Sequence, residues 1–251
     1  MIQKKQYGLI GHPLDHSLSQ TYFNTKFAAE GINAEYLNFD IEDIGQLMEV
    51  IAEHPRLDGL NVTAPYKEQI IPYLNSMDDD AREIGAVNVV KFLRDESGEL
   101  KELRGYNSDV IGFGQSVKPL LTPQRTAAMV LGTGGAAKAV RCALQKLGVQ
   151  VSFVSRTKSE FTIAYPEITR AMVSEHKIII NATPLGKYPD DMLCPAFPYR
   201  FLTKNHLCYD LIYNPEETLF MKNSAKYGAE TKNGLEMLLL QAFTSYDIWV
   251  S

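Results

Sequence analysis

The chain has few of the residues that would place it among disulfide-rich or metal-binding proteins. It contains three cysteines in 251 residues, Cys142, Cys194 and Cys208, and their spacing leaves no C-x-x-C pair. We expect all three to be reduced packing residues. The five histidines show no H-E-x-x-H or related spacing, so no metal site is predicted.

Long apolar runs and an excess of positive charge are also missing. No apolar stretch approaches the roughly 20 residues that a membrane-spanning helix needs. The segment Met1–Leu9 carries Lys4 and Lys5 but lacks the apolar centre of a signal peptide. A net charge of -5, with no basic stripe, argues against nucleic acid as a partner. With 45% apolar residues, we expect a soluble, cytoplasmic protein of one large or two modest domains.

The most informative stretch that is present runs from Ala127 to Thr157. The apolar run Ala127–Leu131 is followed by the glycine-rich segment Gly132–Ala137, then by apolar residues at helical spacing, and the alternating Val149–Val154 predicts a second strand. A G-x-G-x-x-A motif between a strand and a helix is typical of a dinucleotide-binding βαβ unit, whose helix N-terminus receives the pyrophosphate. The sequence therefore predicts a Rossmann-like unit here.

The residues after the second strand bear on which dinucleotide is bound. NAD sites usually place Asp or Glu there, whereas this chain has Ser155, Arg156, Thr157 and Lys158. Arg156 can form a forked contact with a 2′-phosphate, and the two hydroxyls add donors. The segment favours NADP over NAD; an ordinary solvated turn is the alternative.

The first half of the chain alternates predicted strands and helices. Strands are predicted at Gln6–Ile10, Ala34–Phe39 and Leu57–Val62, and a helix at Ile44–Ala52 with Met48 among its inward residues. This alternation predicts an α/β fold with mostly parallel pairing. Two further segments, Ala86–Leu93 and Leu100–Arg104, are predicted to form a hairpin.

Several polar side chains stand where strands and helices end or begin. Ser17 and Ser19 precede a predicted helix, where they could act as an N-cap or bind a carboxylate together with the helix dipole. Lys67 follows Asn61 and Thr63 in a proline-containing turn at the end of a strand, where open parallel sheets tend to bind ligands. Asp109 lies at a predicted domain junction, and junctions commonly form clefts.

The remaining predicted elements follow the βαβ unit. Strands are predicted at His176–Ile180 and Leu207–Ile212, and a helix at Thr218–Tyr227. The last segment, Gly234–Trp249, is predicted as a helix that returns to the first domain. Its predicted apolar face is formed by Leu235, Leu238, Leu239, Ala242, Phe243 and Tyr246.

Over nearly its full length the chain resembles the shikimate dehydrogenase family. The resemblance rests on motifs in fixed order: His16–Ser19, Asn61–Lys67, Gly85–Asn88, Gly105–Asp109, Gly132–Ala137, Ser155–Thr157, Tyr209–Pro215 and Asn233–Gln241. It implies a two-domain α/β enzyme that reduces 3-dehydroshikimate to shikimate with NADPH in aromatic amino-acid biosynthesis. Residues 1–106 and 234–251 would form the substrate-binding catalytic domain, and residues 107–233 the Rossmann-like NADP-binding domain. The assembly would be a monomer or a homodimer.

The resemblance also implies roles for individual residues. Lys67 would be the catalytic acid and base, paired with Asp109. The substrate would be bound by Ser17, Ser19, Asn61, Thr63, Asn88, Tyr213 and Gln241. The cofactor would be bound by Gly132, Thr133, Gly134, Gly135, Ala136, Ser155, Arg156, Thr157, Lys158, Leu211 and Gly234.

Three alternatives remain open from the sequence. One is a quinate/shikimate dehydrogenase that uses NAD. Arg156 argues against NAD, but Glu160, at a position that is often basic in the family, weakens that argument. A second is a short-chain dehydrogenase, because Tyr22 and Lys26 spell Y-x-x-x-K. The third is a catalytically silent NADPH-binding sensor, against which the presence of both Lys67 and Asp109 argues.

Overall fold

The computed structural model describes residues 4–15 and 17–251 of the chain. The chain divides into two compact units, one formed by the residues up to Ser108 together with Ala242–Ser251, the other by Asp109–Gln241. Residues 1–3, from the predicted substrate domain, and His16, from the serine motif, lie outside the described part. No helix in the described part is long and apolar enough to cross a membrane.

The first unit is built on a six-stranded sheet in the order β2-β1-β3-β5-β6-β4. Its elements are β1 (Lys5–Gly11), α1 (Ser19–Glu30), β2 (Ala34–Asp40), α2 (Leu47–Glu53), β3 (Leu57–Val62), β4 (Ser76–Met77), α3 (Asp79–Ile84), β5 (Val89–Arg94) and β6 (Leu100–Tyr106). Strand β1 pairs in parallel with β2 and β3, whereas β5 is antiparallel to β3 and to β6. The predicted α/β fold is confirmed, with antiparallel pairing where a short turn joins β5 to β6.

Two local predictions in the first unit are wrong. Helix α1 has Leu18 as its N-cap, with no capping side-chain hydrogen bond, so neither Ser17 nor Ser19 is the N-cap. The predicted inward residue Met48 is 53% exposed, whereas Leu47 and Val50 are buried. Residues Ile44–Gln46 form a 3-10 turn before α2. Because a 3-10 turn has fewer residues per turn than an α-helix, it rotates the apolar stripe that follows.

The second unit is built on another six-stranded sheet, in the order β12-β11-β10-β7-β8-β9. Its elements are α4 (Asp109–Val117), β7 (Ala127–Leu131), α5 (Gly135–Lys146), β8 (Gln150–Ser155), β9 (Thr162–Ala164), α6 (Arg170–Glu175), β10 (Ile178–Asn181), β11 (Leu207–Asp210), α7 (Leu219–Ala225), β12 (Glu230–Lys232) and the start of α8 (Leu235–Val250). The strand pairings are parallel. The predicted βαβ unit is therefore β7-α5-β8. The predicted strand start at His176 is wrong, because this residue is the C-cap of α6 and the strand begins at Ile178.

Helix α8 contributes Leu235–Gln241 to the second unit and its remaining residues to the first. The predicted apolar face is only partly right, since Leu235 and Phe243 are 44% and 45% exposed. The buried residues include Ser245 and Trp249. The indole of Trp249 stacks on Tyr7 at 4.7 Å and donates a hydrogen bond to the Val90 carbonyl at 3.1 Å, which fixes the end of the helix in the first unit.

Candidate active site

Lys67 lies in a turn that is held in place on both sides. The ring of Tyr66 is buried, and its hydroxyl donates to the Ile41 carbonyl at 2.6 Å. Burial raises the pKa of Tyr66. On the other side, the Val87 N–H donates to the Lys67 carbonyl at 2.7 Å. The partly exposed Lys67 side chain therefore projects from a backbone that has little freedom.

The segment that leads to Ser17 and Ser19 is tied to the end of β2. The carboxylate of Asp40 accepts the Leu14 N–H at 2.9 Å and contacts His12 Nδ1 at 2.6 Å. The Leu14 N–H and then the His12 contact lower the pKa of Asp40. The Ser17 hydroxyl accepts the Ser19 N–H at 3.3 Å, so the two predicted carboxylate ligands are neighbours.

The two predicted substrate amides, Asn61 and Asn88, are brought together in the first unit. Both are buried, at 6% and 3% exposure. The Asn61 Nδ2 group donates to the Asn88 carbonyl at 3.3 Å and to the Ser245 hydroxyl at 2.9 Å. The Asn61 Oδ1 atom accepts the Tyr36 hydroxyl at 2.8 Å. Three protein partners thus fix the orientation of the Asn61 amide.

Ser108, the residue before Asp109, continues these contacts. Its N–H donates to Asn88 Oδ1 at 2.7 Å, and its hydroxyl accepts from Asn88 Nδ2 at 3.0 Å. The Ser108 and Ser245 hydroxyls lie 3.0 Å apart. Burial raises the pKa of Tyr36, and Ser19 lowers it by a smaller amount. We call the connected set the amide-hydroxyl network: Tyr36, Asn61, Ser245, Ser108 and Asn88.

The Y-x-x-x-K pair on α1 has structural contacts. The Lys26 ammonium pairs with Glu30 at 2.5 Å and lies over the rings of Phe243 and Tyr246 at 5.6 and 5.4 Å. Tyr22 packs edge-on against Phe23 and Phe243. Tyr22 and Lys26 are thus engaged in packing and ion-pair contacts, which argues against a short-chain dehydrogenase site at this pair.

In the second unit, the glycine loop before α5 is shaped to admit a ligand. Gly132 has a φ of +110, and a Cβ there would lie 2.9 Å from the Ala182 carbonyl oxygen. At Gly134, by contrast, a Cβ would meet nothing within 4 Å, and this residue is the N-cap of α5 without a side-chain hydrogen bond. Open space above the uncapped N–H groups of a helix suits a pyrophosphate. Thr133, Gly135 and Ala136 belong to the same loop and first turn.

The segment after β8 folds into a turn with Arg156 at its tip. The Ser155 hydroxyl donates to the Thr157 carbonyl, and the Thr157 N–H donates back to the Ser155 oxygen at 3.2 Å. The Lys158 ammonium pairs with Glu167 at 2.5 Å. Within residues 4–15 and 17–251, the Arg156 guanidinium makes no hydrogen bond or ion pair. It is the cation in this turn that is best placed to accept a phosphate.

A buried carboxyl group lies at the ends of β10 and β11. Asp210 accepts hydrogen bonds from Asn181 Nδ2 at 3.0 Å, from the Ile212 N–H at 3.0 Å and from the Thr218 hydroxyl at 2.6 Å. Burial raises the pKa of Asp210 from 3.8 to about 6, and these three donors limit the increase. The cluster fixes the start of the loop from Leu211 to Tyr213.

Two predicted cofactor residues meet in this loop. A Cβ added to Gly234 would lie 2.1 Å from the Leu211 carbonyl oxygen, and the Gly234 N–H donates to the Ile212 carbonyl at 3.0 Å. Only a glycine allows this close approach of two backbone segments. The structure therefore brings Leu211 and Gly234 together.

Three further predicted site residues belong to the second unit. Asp109 opens α4 and is 5% exposed, and a carboxylate is favoured in the first turn of a helix. Gln241 donates from Nε2 to the Leu238 carbonyl at 3.1 Å. Burial raises the pKa of Tyr213.

In the first unit, Thr63 is partly exposed and its N–H donates to the Ile10 carbonyl at 2.9 Å.

Sequence reasoning missed Tyr36, Ser245 and Asp210. Tyr36 fits the alternating pattern of a buried strand residue. The residues near it in the sequence, however, do not indicate which group its hydroxyl bonds. A serine on a helix is usually read as a surface residue, so Ser245 gave no signal. Asp210 is the last residue of a buried strand, and that position alone could have marked it.

Comparison with known proteins identifies a consistent set of relatives. A family model described as the shikimate dehydrogenase substrate binding domain matches residues 9–90. A shikimate dehydrogenase (NADP(+)) of Methanococcus maripaludis strain C6 is 37% identical, with 98% of this chain and 91% of the relative covered. The crystal structure of shikimate dehydrogenase from Aquifex aeolicus superposes with a TM-score of 0.85 at 37% identity, covering 99% of this chain and 93% of that one. A shikimate dehydrogenase crystallised in complex with NADP+ gives a TM-score of 0.83 at 34% identity, covering 98% and 90%.

Proposed function

Because the chain belongs to the shikimate dehydrogenase family, we propose that it catalyses the reversible, NADPH-dependent reduction of 3-dehydroshikimate to shikimate. The observation that carries this proposal is the match over nearly the whole length of both chains to relatives with that name. The reaction belongs to the route that leads to chorismate and the aromatic amino acids.

We assign the two ligands to the two units. The first unit would bind the substrate carboxylate through Ser17 and Ser19 and its ring substituents through Thr63, Asn61 and Asn88. The second unit would bind NADP. We also assign Asp109, Tyr213 and Gln241, from the second unit, to substrate binding. The open glycine loop, the tip position of Arg156 and the contact between Leu211 and Gly234 support the cofactor assignment.

Lys67 would perform the proton chemistry. When bound, NADPH supplies the hydride that reduces the ketone. Negative charge then develops on the ketone oxygen, and an ammonium group stabilises that charge and donates the proton. In the reverse direction the neutral amine takes the hydroxyl proton. The family resemblance pairs Asp109 with Lys67, and a carboxylate partner would favour the charged ammonium. The fixed turn around Lys67 supports this role, because acid catalysis requires accurate placement of the donor.

The NADP preference would depend on Arg156. Its guanidinium can grip a 2′-phosphate with two hydrogen bonds, whereas Lys158 is already paired with Glu167. Ser155 directs its hydroxyl at the Thr157 carbonyl, so both residues shape the turn. The Glu160 carboxylate would repel the 2′-phosphate and thereby reduce the preference for NADP over NAD.

The proposed activity is tested by initial rates of shikimate oxidation with NADP+ and with NAD+, followed by NADPH or NADH absorbance. We expect turnover with NADP+ and at least about tenfold lower efficiency with NAD+, a difference of about 1.4 kcal/mol. Quinate as substrate should give little turnover. Equal efficiencies with the two cofactors and turnover of quinate would support the quinate/shikimate dehydrogenase alternative. Binding of NADPH without any turnover would support the sensor alternative.

Two features beyond the chemistry stay predictions of the sequence. These are a cytoplasmic location and assembly as a monomer or a homodimer. Both are compatible with the proposed activity, and gel filtration with light scattering measures the second directly.

A further inference from the structure

We propose that Ser245, on the C-terminal helix α8, is a positioning residue for shikimate, acting by holding the amides of Asn61 and Asn88. The inference rests on the proposed function and goes beyond it, because it adds a residue from a distant part of the chain to the substrate site. It would make the last turns of α8 part of the substrate-binding machinery rather than only a packing element.

Ser245 joins two parts of the amide-hydroxyl network. Its hydroxyl oxygen accepts from Asn61 Nδ2 at 2.9 Å and lies 3.0 Å from the Ser108 hydroxyl. Ser108 in turn contacts both polar atoms of the Asn88 side chain. Removal of the Ser245 hydroxyl would therefore release one hydrogen of Asn61 and one contact of Ser108 at the same time.

Burial makes these contacts selective for one arrangement. Ser245, Ser108 and Tyr36 are each 0% exposed. A buried polar group that loses its partner incurs a desolvation cost, so the network resists any other orientation of its amides. The Asn61 orientation is also unambiguous, because its Nδ2 faces the Asn88 carbonyl, which can only accept.

The arrangement gives Asn61 a different role from the other proposed ligands. Its two N–H groups donate to Asn88 and Ser245, and its oxygen accepts from Tyr36. Asn61 therefore acts mainly by linking its neighbours. Tyr36 holds its oxygen, and Ser245 connects it to Ser108 and through Ser108 to the Asn88 side chain. The network thus joins Asn61 and Asn88, the two predicted substrate amides of the first unit.

The test compares Ser245→Ala with Ser224→Ala in the full-length protein. Ser224 is a matched control, since it is also a fully buried helical serine but lies in the second unit and donates to the Phe220 carbonyl at 2.8 Å. We measure KM for shikimate, KM for NADP+, kcat, melting temperature and the calorimetric Kd for shikimate. We expect Ser245→Ala to raise KM and Kd for shikimate about tenfold, with less than about a twofold change in KM for NADP+.

Two further variants separate positioning from general loss of structure. Ser245→Thr keeps a hydroxyl and should recover most of the shikimate affinity. Tyr36→Phe removes the donor to Asn61 Oδ1. The double variant Tyr36→Phe/Ser245→Ala should therefore bind shikimate less weakly than the product of the two single effects, because both act on one side chain.

The inference is overturned if Ser245→Ala binds shikimate within about twofold of the unmodified protein, or if KM for both ligands rises together as in a merely destabilised variant. It is also overturned if Ser224→Ala has the same effect on shikimate. Failure of the unmodified protein to bind or turn over shikimate would instead remove the proposed function on which the inference rests.

Discussion

The buried polar groups of the two units are built on different chemistry. In the first unit, the amide-hydroxyl network consists of groups that carry no charge near neutral pH, and burial raises the pKa of Tyr36 well above its usual value. In the second unit, the cluster around Asp210 centres on a carboxyl group whose pKa is raised to about 6. The comparison teaches that the proposed substrate residues Asn61 and Asn88 are held by contacts indifferent to pH, whereas the proposed nucleotide-binding unit carries a pH-dependent cost.

The largest expected effect concerns Lys67, the proposed acid and base of the first unit. Lys67→Ala should lower kcat by about 10²- to 10⁴-fold, the usual contribution of a general acid or base. KM for shikimate and NADP+ should change much less, since the side chain acts mainly on the developing charge. Initial rates measure this, with Lys101→Ala as control, because Lys101 is exposed and pairs with Asp95 and Glu99. A loss of less than about tenfold would assign the proton transfer to another group.

The next effect concerns stability and tests the contrast between the units directly. Folded Asp210 holds a proton that the unfolded chain releases between pH 3.8 and about 6. Stability from this group is therefore full below about pH 4 and is lost as the pH rises through about 6, by about 3 kcal/mol in all. Relative to Asp210→Asn, the unmodified protein should lose this amount between pH 4 and pH 7.

Urea unfolding at several pH values provides that measurement, and Tyr36→Phe is the control from the first unit. Its cost in unfolding free energy should be the same at both ends of the pH range, because no group in the amide-hydroxyl network ionises there. If the unfolding free energies of the unmodified protein and of Asp210→Asn changed in parallel with pH, Asp210 would not be the source of a pH-dependent cost in the second unit.

A smaller effect is expected at the turn after β8. Arg156→Ala should raise KM for NADP+ about 10- to 100-fold, since a hydrogen bond to a charged group is worth roughly 1.5–3 kcal/mol. KM for NAD+, which lacks the 2′-phosphate, should stay within about twofold. Lys158→Ala should change either value by less than about threefold, because exposed ion pairs such as that with Glu167 contribute little. If both variants weakened NADP+ and NAD+ equally, the phosphate contact would have to be assigned elsewhere.

The smallest effects distinguish two glycines of the same loop. Gly132→Ala should lower the free energy of unfolding by about 1–2 kcal/mol, because a Cβ is strained at its positive φ and close to the Ala182 carbonyl. Gly134→Ala should leave stability unchanged, because its Cβ meets open space, yet it should weaken NADP+ binding severalfold. Thermal unfolding and calorimetric titration separate the two. Equal losses of stability in Gly132→Ala and Gly134→Ala would contradict the open space that the structure shows at Gly134.

The sequence predicted those parts of the fold that repeat a local pattern. Strand Leu57–Val62 has the predicted bounds, and the strand, glycine loop and helix of the βαβ unit are confirmed. Short elements such as α6 and β9 were missed, since six or three residues give too little periodicity.

Contacts between distant residues could not be predicted from the sequence in the same way. Tyr36 and Asn61 are 25 positions apart, and Asn61 and Ser245 are 184 positions apart. No local spacing encodes such pairs, so Tyr36 and Ser245 emerge only once the strands and α8 are placed. The buried face of α8 was misjudged for the same reason. Ser245 is buried with its hydroxyl bonded to polar partners, while apolar Phe243 is 45% exposed.

The central claim is that Lys67 supplies proton chemistry while other residues hold both ligands. Calorimetric titration of Lys67→Ala with shikimate and with NADP+ tests it most directly. We predict that both ligands bind within about threefold of the unmodified protein although turnover is lost, since a general acid contributes mainly to the transition state. Loss of binding of either ligand in parallel with the loss of turnover would contradict this account.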